Sequence, residues 1–122
     1  PGFRPLVANE TAMIAALNYL PEAHYSQVRS VERHCQADES FLLVDGGAQL
    51  LTLDEDSGSI QIMPLACGQL YTVPALIWHA LVMDEAARCF VVRTGCGRRG
   101  DVEHQNLSAE QRAQIADYYK QD

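Results

Sequence analysis

The sequence predicts a mainly β fold, a small barrel or jelly roll with a short helix at each end. Three observations carry this. Segments 26–34, 39–45, 48–53, 60–63, 69–73, 77–83 and 88–94 are short and rich in Val, Leu, Ile and aromatic residues. Turn formers separate them: Gly46-Gly47, the run from Asp54 to Gly58, Gly68, and Asp84-Glu85. Such regular alternation of short strands and turns is the mark of a sandwich or closed barrel. The chain has 122 residues, 48% of them hydrophobic, which suits one core and one domain over residues 1–122.

The elements follow in order. Residues 9–20 read as a helix: Met13, Ile14, Leu17 and Leu20 share one face, Asn9 or Thr11 caps the start, and Pro21 stops it. The β core spans about 26–94. Within it, Asp54-Glu55-Asp56-Ser57-Gly58 reads as a hairpin tip, with Gly58 free to take positive φ. Residues 95–106 are polar with clustered glycines and read as a loop. A last helix spans about 108–120, where Ser108-x-x-Gln111 fits a capping box and Ile115 with Tyr119 forms an i,i+4 apolar pair.

Charge and cysteine usage narrow the function classes. Acidic residues outnumber basic ones 16 to 9, for a net charge of −7, so nucleic acid is a poor partner and Arg98-Arg99 is too short a cluster to change that. No apolar run reaches the roughly 20 residues needed to span a bilayer, so no membrane association is expected. No signal peptide is expected either. Cys35, Cys67, Cys89 and Cys96 form no Cys-x-x-Cys pair and read as reduced thiols in a cytoplasmic protein. A homodimer is expected, because small barrels leave an open edge strand that a symmetric partner covers. The N-terminal helix or the strand after it would supply the interface.

Two segments concentrate chemistry. In the first, Glu32-Arg33-His34-Cys35-Gln36-Ala37-Asp38-Glu39, strand alternation puts Glu32 and His34 on one face. A tight hairpin then brings Glu39 beside them. In the second, Gly68-x5-Pro74-x4-His79, the turn from Pro74 to Trp78 delivers His79 into the next strand.

These segments resemble the paired motifs of the cupin superfamily. The first matches its Glu-x6-Gly stretch, from Glu39 to Gly46, with a metal-binding position five residues before the Glu. The second matches Gly-x5-Pro-x4-His. The 21 residues between Gly46 and Gly68 suit a cupin, and the resemblance covers roughly residues 26–94. The family usually begins its first motif His-x-His, whereas this chain has Glu32-x-His34. It often carries glycine after the Pro, whereas position 76 is Leu.

The resemblance implies a cupin-like fold and a divalent metal site made by Glu32, His34, Glu39 and His79. Two imidazoles and two carboxylates suit Fe, Mn, Zn, Ni or Co. Two readings remain beside it. In a metal-free pocket, Glu32 and Glu39 would raise one carboxyl pKa and supply a general acid or base. Alternatively, the cluster is a satisfied hydrogen-bond network with no functional role.

Phe41, Tyr71 and Trp78 are candidate substrate contacts, with core packing the alternative for Tyr71 and Trp78. Arg29, Arg33 and Arg93 could bind an anionic substrate, although strand arginines are usually solvated. His24 and His104 read as surface residues. Cys35 lies on the opposite face from His34, which argues against an activated nucleophile. Pro1 could act as a free secondary amine, with an ordinary terminus the plainer reading.

The function expected is that of a metal-dependent enzyme on a small polar metabolite, a sugar or small acid, with Glu32 and Glu39 as catalytic carboxylates. The stretch GQLYTVPALIWH resembles that of sugar-nucleotide ketoisomerases of the superfamily, which makes isomerase or epimerase chemistry one subtype; oxygen-dependent cleavage at Fe(II) is another. The rival classes are a non-catalytic small-molecule sensor without metal and a structural module with a filled barrel.

Overall fold

The computed structural model describes residues 2–95 and 101–120. Pro1, Cys96 and Arg98-Arg99 lie outside the described residues. Ten strands precede one helix: β1 (Phe3–Ala8), β2 (Ala12–Asn18), β3 (Ser30–His34), β4 (Ala37–Asp45), β5 (Ala48–Leu53), β6 (Ile60–Pro64), β7 (Leu70–Val73), β8 (His79–Met83), β9 (Arg88–Gly95), β10 (Val102–Asn106) and α1 (Ala109–Tyr119). They form two antiparallel sheets in the orders β1-β2-β9-β4-β7 and β10-β3-β8-β5-β6.

Alternation along the strands explains the layers. In β4, Ala37, Glu39, Phe41 and Leu43 are buried while the residues between them are more open. Phe41 and Leu43 meet Val73, Cys89 and Val91 of the same sheet and Ala48, Leu50 and Met83 of the other, filling the space between the sheets. The second sheet is also buried on its outer side. There Val31, Leu51, Leu53 and Val82 pack with Trp78, Leu107 and Ile115 under α1. The predicted capping box forms: the Gln111 N–H donates to Ser108 Oγ at 3.1 Å, and the Ser108 N–H donates to Gln111 Oε1 at 2.8 Å.

Residues 9–20 are not a helix. They are the β1–β2 hairpin turn followed by β2, which pairs with β9 from Ala12↔Thr94 to Asn18↔Arg88. Met13, Ala15 and Leu17 face inward, and Ala15 is fully buried. Met13 and Leu17 thus share a face at either period while Ile14 turns outward, and the ladder overrides the helical propensity of this Ala-rich stretch. Asn9 caps the hairpin turn instead, its Oδ1 accepting from the N–H groups of Thr11 and Ala12 at 2.9 and 3.0 Å. Two further expectations change. Residues Tyr25–Gln27 form a short 3-10 turn, so the first core strand starts at Ser30. The expected loop 95–106 contains β10, an edge strand paired with β3, whose polar sequence Val-Glu-His-Gln-Asn has no apolar face to betray it.

Of the five described residues with positive φ, three turn positions adopt it in different surroundings. Gly58 (φ 72) closes the predicted β5–β6 tip with open space around it. Gly46 (φ 71) touches the backbone of Ala86 and Ala87, where a Cβ would come within 2.4 Å. Leu76 also sits at φ 73, the position where cupins often carry glycine, so the chain keeps the turn geometry without the residue that favours it.

These differences predict three stabilities, read by denaturant unfolding. Gly58→Ala costs about 1 kcal/mol of left-handed strain. Gly46→Ala costs about 2–4 kcal/mol, because it adds a backbone clash to the same strain. Leu76→Gly stabilises by about 0.5–1 kcal/mol, as strain relief exceeds the glycine entropy cost.

Candidate metal centre

Opposing strands bring the four predicted residues together. Glu32 and His34 lie on β3, His79 on β8 and Glu39 on β4 of the other sheet. Each offers one ligand atom, and these atoms all lie within 4.8 Å of one another. The register explains the convergence: Glu32 pairs with His79, and Glu39 pairs with Arg93. His34, Glu39 and His79 are buried, whereas the Glu32 side chain is 40% exposed.

Glu39 is the centre of the arrangement. Its Oε2 accepts from Arg93 Nε at 3.0 Å and Nη2 at 2.6 Å. Its Oε1 lies 2.8 Å from His79 Nε2. Burial opposes ionisation of this carboxyl, but His34, His79 and the Arg93 guanidinium outweigh it and hold Glu39 far below the usual carboxylate range. His79 is the complement. Burial disfavours its imidazolium, but the Glu39 contact and the Ile77 carbonyl raise its pKa above the ordinary value.

The proton arrangement at the two histidines bears on whether a metal fits. His79 Nδ1 lies 2.9 Å from the Ile77 carbonyl; the carbonyl only accepts, so Nδ1 carries a hydrogen, and Nε2 carries one as well when it donates to the ionised Glu39, a proton that a bound ion would displace. Metal-bound histidines are commonly oriented by such an Nδ1 bond. His34 Nε2 is buried with no hydrogen-bond partner, at 3.3 Å from Glu39 Oε2. Spacings of 2.8 and 3.3 Å also match neighbouring donors on one ion, since bonds of about 2.1 Å place adjacent ligands roughly 3 Å apart. The donor set and its spacing therefore fit a divalent ion.

Two cavities meet at the cluster. One, of about 280 Å³, runs between the sheets and is lined by Phe3, Phe41, Leu81, Val91 and Arg93 beside Glu32, Glu39 and His79. The other, of about 340 Å³, opens beside β3 and β8 and includes Arg29, Ser30 and His104 with Glu32 and His79. The β3–β8 ladder pairs only Glu32 with His79 among the described residues, which leaves room for this second opening.

The other candidates separate clearly. Phe41 lines the inner cavity and sets its ring edge toward His79 at 6.1 Å. Tyr71 and Trp78 line neither cavity among the described residues. The Tyr71 hydroxyl accepts from the Ala66 N–H at 3.0 Å. Trp78 is buried on the α1 side of its sheet, with the Arg33 guanidinium 4.4 Å over its ring. Arg33 also pairs with Glu103 at 2.7 Å.

Arg93, read from sequence as a solvated strand arginine, instead points inward and binds Glu39. The missed signal is its pairing in β9 with the inward pattern Cys89, Val91, Arg93. Arg29 and His104 stand at the outer opening, and His104 Nε2 is 3.8 Å from Glu32. His24 accepts from the Ser26 N–H at 3.2 Å. The Cys35 thiol points to Glu103 at 3.4 Å, and burial and that carboxylate push it up, away from nucleophile chemistry. Leu17 and Leu20 were hidden as cavity walls because their segment read as a helix, and Phe3 because no element was read before residue 9.

No protein-family model matches the sequence, and no curated protein matches it significantly. Solved structures do. Pac13 from Streptomyces, described as a nucleoside dehydratase, aligns over 86% of this chain and 77% of its own at 10% identity with a TM-score of 0.63. A Pac13 structure with uridine aligns at 11% identity over 86% and 76%, with the same score. Oxalate decarboxylase from Bacillus subtilis, an enzyme with Mn(II) centres, aligns over 83% of this chain and 25% of its own at 15% identity and 0.53; this chain thus matches about a quarter of that enzyme. No helix among the described residues is long and apolar enough to cross a membrane. With two antiparallel five-stranded sheets and the paired motifs set at one end between them, the described residues have a cupin-like β-barrel fold.

Proposed function

We propose that the chain holds one divalent metal ion on Glu32, His34, Glu39 and His79 and acts on a small polar metabolite, a sugar or small acid, in the adjoining cavity. The carrying observation is the buried His34 Nε2, which meets Glu39 at 3.3 Å without forming a well-aligned hydrogen bond. A dry imidazole nitrogen without a partner is costly, and a metal ion supplies the missing partner. Fe, Mn, Zn, Ni and Co all suit the donors. Bound there, the ion would polarise a carbonyl or enediolate oxygen of the substrate.

The chain's own residues divide the remaining work. Glu39 is held ionised by Arg93 and His79, so it serves as a fixed anionic anchor and is a poor proton donor at neutral pH. Proton movement falls to Glu32, whose carboxylate faces both cavities and stays reachable. Phe41, Leu81 and Val91 form an apolar wall that limits water around the reacting atoms. An accessible carboxylate favours proton transfer, hence isomerisation or epimerisation, over oxygen chemistry. The free thiols of Cys35, Cys67 and Cys89 support a cytoplasmic setting.

A metal-free binding pocket is the second reading. One observation favours it: Arg93 and His79 already satisfy Glu39 without an ion. That network leaves His34 Nε2 without a well-aligned hydrogen bond, which sets the metal reading first.

Three outcomes test the proposal. Elemental analysis of protein purified without chelator, followed by calorimetric titration, gives about one divalent ion per chain; His34→Ala with His79→Ala weakens it by at least about 100-fold. Equal binding by both proteins contradicts the site. Affinity falls as the pH drops, because protons compete for both imidazoles. The competition begins above the ordinary imidazole range at His79, whose pKa is raised, and affinity gains up to about tenfold per pH unit until that value is passed. Glu32→His tightens Zn and Ni relative to Mn, whereas Glu32→Gln weakens every ion. Unchanged affinities in both variants remove Glu32 from the ligand set.

A further inference from the structure

The inner cavity has a chemistry that the metal cluster alone does not explain. Its polar groups gather in one place, where Glu32, Glu39, His79 and Arg93 meet. The rest of the wall is largely hydrocarbon. Phe41, Leu81 and Val91 supply it from β4, β8 and β9. Phe3 and Leu17, paired across β1 and β2, supply it with Leu20 from the other side chains of the lining. Among the described residues, the other polar members of the lining are Asn18 and Glu22, both exposed to solvent. Phe3 is 43% exposed and Leu20 40%, so large apolar side chains meet water at this cavity. The outer cavity differs, since Gln27, Arg29, Ser30 and His104 give it several hydrogen-bonding groups.

We infer that the inner cavity takes a monocarboxylic acid with an aliphatic or aromatic body, its carboxylate turned to the metal centre and its body along the hydrocarbon wall. The inference rests on the metal reading above and narrows it from sugars and small acids to one class of acid. Hydrogen bonding disfavours a sugar here. Each buried hydroxyl needs a partner, and away from the cluster the wall offers only the solvent-exposed Asn18 and Glu22. Charge favours a single anionic group. Metal-bound imidazoles are neutral, so the ion and Arg93 bring three positive charges against the two negative charges of Glu32 and Glu39, and one carboxylate balances the site. Glu22 is exposed and stays solvated. A second carboxylate on the ligand would lie against hydrocarbon at a large desolvation cost. The volume of about 280 Å³ is near the low end for ligand pockets and sets the occupant at on the order of ten heavy atoms. Phe3 and Leu20 lose exposed apolar area when the body is in place.

Calorimetric titration of the zinc-loaded full chain with acetate, butyrate, hexanoate and octanoate tests the inference, with gluconate as the hydroxylated counterpart of hexanoate. Affinity rises about threefold for each added methylene, and hexanoate binds at least about tenfold tighter than gluconate. Metal-free protein binds octanoate at least about tenfold more weakly than the zinc-loaded protein. Leu17→Ser and, separately, Phe3→Ser lower octanoate affinity about threefold to tenfold, and zinc titration of each variant confirms that it folds. Affinity that does not depend on chain length overturns the inference. So does gluconate binding as tightly as hexanoate, which places the ligand in the polar outer cavity. Octanoate affinity that is the same with and without zinc, or the same in both variants as in wild type, also overturns it. A wild type that binds no zinc overturns the metal reading and this inference together, whereas one equivalent of zinc with any of these failures overturns this inference alone.

Discussion

The Glu39 carboxylate ties the two sheets together at the polar end of the barrel. From its own sheet it receives two N–H groups of Arg93 on one oxygen. From the opposite sheet it meets His79 on the other oxygen and His34 at 3.3 Å. A carboxylate this buried would lose stability if it stood alone. Its partners hold it ionised, and it in turn fixes the orientation of each of them. The site is therefore preorganised by electrostatics across the barrel as well as by the strands that carry it.

The rest of the interior serves that constraint. Leu43, Leu50 and Cys89 fill the space between the sheets away from the site, and burial pushes the Cys89 thiol up to about 11, leaving it a neutral, apolar filler. Toward the site, Phe41 and Val91 pass from core to cavity wall. One end of the barrel is thus solid and the other hollow. Glu32, the least buried of the four donors, stands where the hollow end reaches solvent.

The candidate site was largely legible in the sequence because its residues sit at fixed spacings within strands and tight turns. Glu32 and His34 share a face by alternation alone, and the Pro74–Trp78 turn carries His79 even though Leu76 replaces the expected glycine. The inward face of Arg93 was signalled by the alternation Cys89, Val91, Arg93, but its partner was not legible, because only the three-dimensional pairing of β9 with β4 puts this arginine opposite Glu39. The fold class was legible from the spacing of strands and turns, but two elements were not. Met13 and Leu17 share a face at either period, and long-range pairing with β9 decided for the strand, which turns Ile14 outward. β10 has the polar composition of a loop, and its pairing with β3 is set by the backbone. The choice left open for Trp78 between cavity wall and core depends on α1, against which it packs and which lies some 30 residues later in the chain.

The central claim is that two imidazoles and two carboxylates converge on one ion. X-ray absorption at the zinc edge, on protein loaded with one equivalent, tests it most directly. The account predicts a shell of nitrogen and oxygen donors at about 2.0–2.2 Å with the multiple-scattering signature of two imidazoles, and loss of that signature in the His34→Ala, His79→Ala protein. A sulfur shell near 2.3 Å, or a spectrum without imidazole, would contradict it.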